Sequence, residues 1–235
     1  MAKLKVLGSG SSGNAYILEC NEETLILELG IKWKDILLGL DFDISKVVGC
    51  LVTHQHNDHQ LSVPNAIKSR LDVYSCESVH SKHEAVKVLK TGLKTRIGGF
   101  LVQPINVDHS VECYAYIIQH KEFGKLLFVT DCSEFYFRIK DCNHIMCECN
   151  WDMNVVIDNA FEDTACSQHE NHLELEQTIE VLRENFNENT KSITLLHLSK
   201  NNIMPKRTLA RVKEELMFDN IHIAQKGLEI DLNYE

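Results

Sequence analysis

Thr53-His54-Gln55-His56-Asn57-Asp58-His59 places four potential metal-binding side chains within six residues, directly after the apolar run Val47-Val48-Gly49-Cys50-Leu51-Val52. A short apolar run of that kind reads as a strand buried on both faces. Along an extended chain, residues two apart point the same way, so His54 and His56 aim at one point beyond the strand end. A turn after His56 brings Asp58 and His59 to a second point. Imidazole nitrogens and carboxylate oxygens together suit a divalent ion, zinc, manganese or iron. The competing reading is a polar loop of solvated histidines. The spacing, and its place right after a strand, favour the metal.

Upstream, Lys3-Leu4-Lys5-Val6-Leu7 alternates as a strand, and Gly8-Ser9-Gly10-Ser11-Ser12-Gly13 follows with the G-x-G-x-x-G spacing. A dinucleotide-binding fold needs a helix next. Asn14 to Cys20 and Thr24 to Gly30 read as strands instead, so that fold is rejected. The loop is either an anion-binding run of backbone N–H groups or a tight turn.

Downstream, further strands are expected at Phe100–Ile105, Cys113–Gln119, Lys125–Thr130, Ile145–Cys149, Ser192–Leu196, Ile221–Ile223 and Leu228–Ile230. Helices are expected at Ile31–Leu40, Leu61–Arg70, Glu77–Leu89, Trp151–Ala160, Glu170–Phe186 and Pro205–Leu216, the last with proline in its first turn. His80 and His83 then read as surface residues of a helix. The pattern implies an α/β protein with two sheets and covering helices. Polar residues recur at strand ends, at His54, His109, Asp131 and His197, and ligands in layered α/β folds gather at such ends.

The 235 residues carry a formal charge of −10, with 44% hydrophobic and 25% charged residues. That is ordinary for a soluble globular chain and large enough for a core without disulfides. One domain spanning 1–235 is expected, with no Pro-rich linker. No apolar run approaches a membrane span, and the first residues lead into a strand, so a cytoplasmic protein with no membrane partner is expected. The acidic balance argues against wrapping long nucleic acid by bulk charge, but bound cations can invert the field at a local site. The nine scattered cysteines form no CxxC pair and are expected as reduced, buried thiols, neither metal ligands nor disulfides.

The motif, followed by a single His, a lone Asp and a last His, resembles the metallo-β-lactamase superfamily. Leu7 to Asn14, Thr130-Asp131, Glu148-Cys149-Asn150, Asn171-His172-Leu173 and His197-Leu198-Ser199-Lys200-Asn201-Asn202 are similar to its YycJ (WalJ) branch. Together they cover Leu4 to about Asn202. The resemblance implies an αββα sandwich of two mixed sheets between helical layers, with the site at the edge where the sheets meet. It also implies that His54, His56 and His109 hold one metal, that Asp58, His59 and His197 hold the other, and that Asp131 bridges them. The branch is described as nucleases, which implies a nucleic acid or nucleotide substrate. Asp58 is then either a pure ligand or also the residue that orients the attacking water. His172 is expected to donate to a phosphate oxygen or leaving group. Asn14, Ser199 and Asn201 are candidates to line the pocket, and Glu148 to support a ligand imidazole.

Four residues, at three places, depart from the pattern. Glu28 stands where many members have Asp, Cys132-Ser133 where the branch has Thr-Gly, and Asn171 where it has Gly. Three functions fit the residues: a phosphodiesterase acting on nucleic-acid ends, a hydrolase of a cyclic nucleotide, lactone or thioester, and a non-catalytic metal-binding regulatory module. The complete ligand set favours the first two. A homo-oligomer is compatible with each.

Overall fold

The computed structural model describes residues 1–158 and 171–233. One sheet contains β1 (Lys3–Gly8), β2 (Ala15–Glu19), β3 (Thr24–Leu27), β4 (Val47–Leu51), β5 (Val73–Ser75) and β6 (Lys87–Val88), in that order, with β14 (Glu229–Asp231) outside β1. The second contains β7 (Thr95–Ile97), β8 (Phe100–Val107), β9 (Cys113–His120), β10 (Gly124–Val129), β11 (His144–Glu148), β12 (Ser192–Leu196) and β13 (Ile221–Ile223) in sequence order. Both sheets are mixed. Strands β14 to β3 alternate in direction and β3 to β6 run parallel. Likewise β7 to β10 alternate and β10 to β13 run parallel.

The continuous apolar runs follow from burial on both faces, since successive side chains of a strand point to opposite sides. In β10, Leu126 and Phe128 enter the core shared by the two sheets, where the Tyr16 and Phe128 rings meet edge to face at 5.7 Å. Their neighbours Leu127 and Val129 join an outer core. There α6 (Leu175–Asn185) and α7 (Pro205–Leu216) cover the sheet with Ile179, Leu182, Val212 and Leu216. On the first sheet, α1 (Trp33–Gly39) and α3 (Val63–Lys68) contribute Ile36, Val63 and Ala66. The architecture is an αββα sandwich. Among the described residues, no helix is long and apolar enough to cross a membrane.

The helices expected at 31–40 and 61–70 are trimmed to Trp33–Gly39 and Val63–Lys68, and two others depart further from their patterns. Only α4 (Glu77–His80) forms within the 77–89 segment. The His80 imidazole donates to the Val86 carbonyl at 2.8 Å, which folds the chain back so that Lys87-Val88 pairs with β5. His80 and His83 are accordingly half-buried structural residues, not surface ones, and His83 contacts the Gln60 side chain at 3.1 Å. In the 170–186 segment, α6 begins only at Leu175 behind a capping box between Glu174 and Gln177. Ahead of that cap the Leu173 backbone is held across to Glu148 and Asn150, which no helix allows. In the 151–160 segment α5 covers Met153–Asp158, and residues 159–160 and 170 lie outside the described residues. The short strands β5, β6 and β7 were not expected; two or three residues carry no readable period.

His144 of β11 is buried, bonded to Ser192 Oγ at 2.8 Å and to the Leu232 carbonyl at 3.1 Å. Burial pushes its pKa down to about 4. The unfolded chain binds that proton near pH 6.5, so folding stability falls as pH drops from about 6.5 toward 4, by up to ~3 kcal/mol. His144→Gln removes this share. Urea unfolding across that window is expected to show a steeper loss in the wild type than in the variant, and parallel curves would contradict it.

Candidate metal centre

The motif begins where β4 ends. The chain stays extended through His56, which caps α2 (Asn57–Gln60), and α2 is the turn that carries Asp58 and His59 to a second point. His54 Nε2 lies 2.9 Å from His56 Nδ1, and His109 Nε2 lies 3.3 Å from the same atom. These three form one donor set. The second comprises Asp58, His59, Asp131 and His197. His59 Nε2 lies 3.5 Å from Asp58 Oδ2 and 3.3 Å from Asp131 Oδ1, and His197 Nε2 lies 3.5 Å from Asp58 Oδ2. All seven side chains expected to hold metal therefore converge, from four separate segments.

Each set is braced from behind. His109 donates its Nδ1–H to the Asn171 carbonyl at 3.0 Å, and His54 Nδ1 contacts Thr53 Oγ1 at 2.9 Å. Behind His59, Glu28 Oε1 stands 3.4 Å from Nδ1. The fully buried Glu28 also accepts the Thr53 backbone N–H at 3.3 Å, so the glutamate in place of Asp still reaches the motif. Glu148 Oε1 accepts from both His197 Nδ1 at 2.9 Å and His172 Nδ1 at 2.7 Å. Its Oε2 accepts the backbone N–H groups of Cys132 and Leu173. Carboxylate or carbonyl partners of this kind fix imidazole tautomers and aim the opposite nitrogen at a cation. Glu28 and His197 hold positive φ, 67° and 53°, strained for residues with side chains.

The electrostatics fit cations. Burial, reinforced by neighbouring histidines, lowers the pKa of His54. Burial would raise Asp58, but its hydrogen bonds to His197 and His59 outweigh that and hold it below the carboxylate range. Burial would lower His197, yet the Asp131 charge and the Asp58 and Glu148 bonds raise it to about 10. Protons thus compensate buried carboxylates where a cation would otherwise do so. His197 Nε2 is buried, and it meets the Asp58 carboxylate only at 3.5 Å, too long for a well-formed hydrogen bond. That is the signature of a nitrogen made for a metal, and the mixed imidazole and carboxylate set is chemically suited to one.

The other expected site residues are placed less uniformly. His172 lies on the rim, its ring centroid 5.8 Å from that of His109 and 5.2 Å from that of His197. Burial would lower its pKa, but the Glu148 charge and hydrogen bond raise it. Ser199 is half-buried and Asn201 exposed, both just past His197. Asn14 departs from the expectation of a pocket-lining residue. It is wholly buried, bonds Gly10 through both amide atoms, and donates to the Asp58 carbonyl at 3.2 Å. Its amide is a brace beneath the motif, with Nδ2 also 3.1 Å from His59 Nε2.

The Gly/Ser loop explains this. Ser9 Oγ accepts the His197 backbone N–H at 2.9 Å, and Gly13 turns at φ 134°. Gly30 packs so tightly on the Asp58 backbone that a Cβ there would collide with it. The loop clamps His59 and His197 from the first sheet's side. Ser9 was missed from sequence, although the glycine spacing was in view. Of the basic residues between 82 and 96, Lys82 donates to the Gln55 carbonyl beside the motif, Lys87 of β6 pairs with Asp72, and Arg96 sits on β7 of the other sheet.

No protein-family model matches the chain. Over 251 residues it is 24% identical to exodeoxyribonuclease WalJ of Streptococcus pneumoniae, covering 97% of this chain and 91% of that protein. Over 236 residues it is 25% identical to exodeoxyribonuclease YycJ of Bacillus anthracis, covering 91% and 89%. The metallo-beta-lactamase fold protein YhfI from Bacillus subtilis superposes with a TM-score of 0.75 at 16% identity, covering 98% of this chain and 100% of that one. The chain has the metallo-β-lactamase fold and resembles the WalJ/YycJ branch in sequence.

Proposed function

We propose that this chain is a metal-dependent phosphodiesterase that cleaves nucleic acid from an end, using two divalent cations, zinc or manganese, with Asp131 shared between the two donor sets. The observation that carries the proposal is the meeting of a neutral set, His54, His56 and His109, with an anionic set, Asp58, His59, Asp131 and His197. The near full-length resemblance to two exodeoxyribonucleases supports nucleic acid as the substrate class. When bound, a pair of cations supplies Lewis-acid polarisation and a water acidic enough to attack near neutral pH, which suits an anionic phosphodiester.

The chain's own groups divide the remaining work. Asp58 is only partly covered, with 24% of its side chain exposed, so it can face a water as well as His59 and His197. It orients that water for attack. His172, kept protonated by Glu148, donates to a phosphate oxygen or the leaving oxygen. Ser199 and Asn201 border the path of the substrate.

His172→Ala is expected to slow cleavage about a hundredfold while leaving the metal content of the cluster unchanged. Asp58→Ala is expected to lose both. The substrate panel is bis-(p-nitrophenyl) phosphate, end-labelled DNA and RNA, cyclic mononucleotides, a lactone and a thioester. Release of nucleotides from polynucleotide ends is the expected outcome. Preference for a cyclic nucleotide would replace the substrate, and activity on the lactone or thioester alone would overturn the phosphodiesterase reading.

A further inference from the structure

We infer that Cys20, His120 and Glu122 form a separate zinc-type site that ties the two sheets together at the end of the sandwich away from the His/Asp cluster. Cys20 directly follows β2 of the first sheet, His120 ends β9 of the second, and Glu122 lies in the turn leading to β10. Strand β9 starts beside the cluster, where Cys113 Sγ contacts the Asp131 carbonyl. Its seven steps to His120 put the new site roughly 23 Å away.

Cys20 Sγ lies 3.2 Å from His120 Nδ1, and one donor atom from each of the three side chains lies within 4.8 Å of the others. Cys20 is 3% exposed and His120 5%. Sulfur, nitrogen and carboxylate oxygen together are a zinc-type donor set, with a fourth position left for water or a further ligand.

The second observation is what stands behind the ring. His120 Nε2–H donates to Glu23 Oε1 at 3.1 Å, which fixes the tautomer and leaves the Nδ1 lone pair on the thiol side. This is the carboxylate–imidazole arrangement that accompanies metal-binding histidines. The ring is further fixed against Phe100, at 4.7 Å and 30° between planes. An S–H···N bond alone accounts for the thiol and the ring nitrogen. It does not account for two carboxylates converging on them, Glu23 behind the ring and Glu122 beside the sulfur. Nδ1 also accepts the Glu122 backbone N–H at 3.3 Å, a long bond that an ion would replace. Glu122 itself is held by the Asn21 backbone N–H at 3.3 Å and the Met1 amino group at 3.2 Å.

Burial, then the charges of Glu122 and Glu23, push the Cys20 thiol up to about 12. The site departs from the sequence expectation that no cysteine binds metal. Its residues lie a hundred positions apart, in no spacing that a motif would reveal.

Cobalt(II) titration of the metal-free, full-length protein tests this apart from activity. The cluster contains no cysteine, so only the new site gives a thiolate-to-cobalt charge-transfer band in the near ultraviolet. That band is expected to saturate at one ion per chain and to vanish when zinc is added. Cys20→Ser and His120→Gln should abolish it, while Cys132→Ser keeps it. Glu122→Gln, at a partly exposed position, should weaken cobalt binding about tenfold, with an unchanged circular dichroism spectrum and unchanged phosphodiester cleavage. No band in the wild type, or a band undiminished in Cys20→Ser and Glu122→Gln, would overturn the inference and leave the phosphodiesterase reading untouched.

Discussion

Asp131→Ala is expected to cut phosphodiester cleavage by about a thousandfold or more, and to empty the His/Asp cluster of metal together with it. Asp131 is 2% exposed. Its Oδ1 lies 3.3 Å from His59 Nε2 and 3.5 Å from His197 Nδ1, and it accepts the Thr130 hydroxyl at 2.7 Å. Its charge also raises the affinity of His54, His56 and His109 for protons, so one carboxylate acts on both donor sets. A cation replaces those protons and feels the same attraction. Without the carboxylate, two buried imidazoles face each other near Asp58 alone. Asp131→Asn keeps the shape and removes the charge, so it should fall close to the alanine variant if charge is what matters. Elemental analysis and turnover, measured on the same preparations, check this. Full metal content and full rate in Asp131→Ala would remove the shared ligand from the account.

Glu148→Ala is expected to cost about 3–5 kcal/mol of folding stability, because it strips a fully buried acceptor of four partners. Burial would raise the Glu148 carboxyl, but the charge and hydrogen bond of His172, with the bond from His197, hold it low. Removing it leaves two imidazoles without their common acceptor and two backbone N–H groups unpaired. Metal affinity should fall roughly 10–100-fold as His197 loses its orientation. Glu148→Gln keeps the volume but offers one acceptor oxygen beside an amide that repels an N–H, so it should lie between. Urea unfolding and metal titration measure both effects. An unchanged unfolding midpoint in Glu148→Ala would show that these four contacts carry no weight.

The features legible in sequence were those carried by local pattern. The run from Val47 to Val52 reads as a doubly buried strand because both its faces are covered, and the motif follows it directly. Helix α7 and strands β12 and β13 appear within the residues their periodicity marks. His109, Asp131 and His197 were legible as polar residues closing apolar runs, and their grouping came through the family resemblance. What was not legible depends on contacts far along the chain. Glu77 to Leu89 has helical spacing, yet the His80 bond to the Val86 carbonyl turns the chain back into an edge strand. His172 lies outside α6 because Glu148, far upstream, holds the Leu173 backbone in extended form. Asn14 was read as a pocket residue because it is polar and follows a glycine loop. Only the fold shows that the loop lies under His59 and His197 and uses every polar atom of that side chain.

The most direct measurement gives the metal-loaded protein linear DNA labelled at either end, alongside covalently closed circular DNA of the same sequence. The account predicts stepwise release of nucleotides from the linear molecule and an intact circle. Chelation, and separately Asp131→Ala, should stop the release. Opening of the circle at a rate comparable to the linear loss, or no phosphodiester cleavage at all under loading with zinc or manganese, would contradict it.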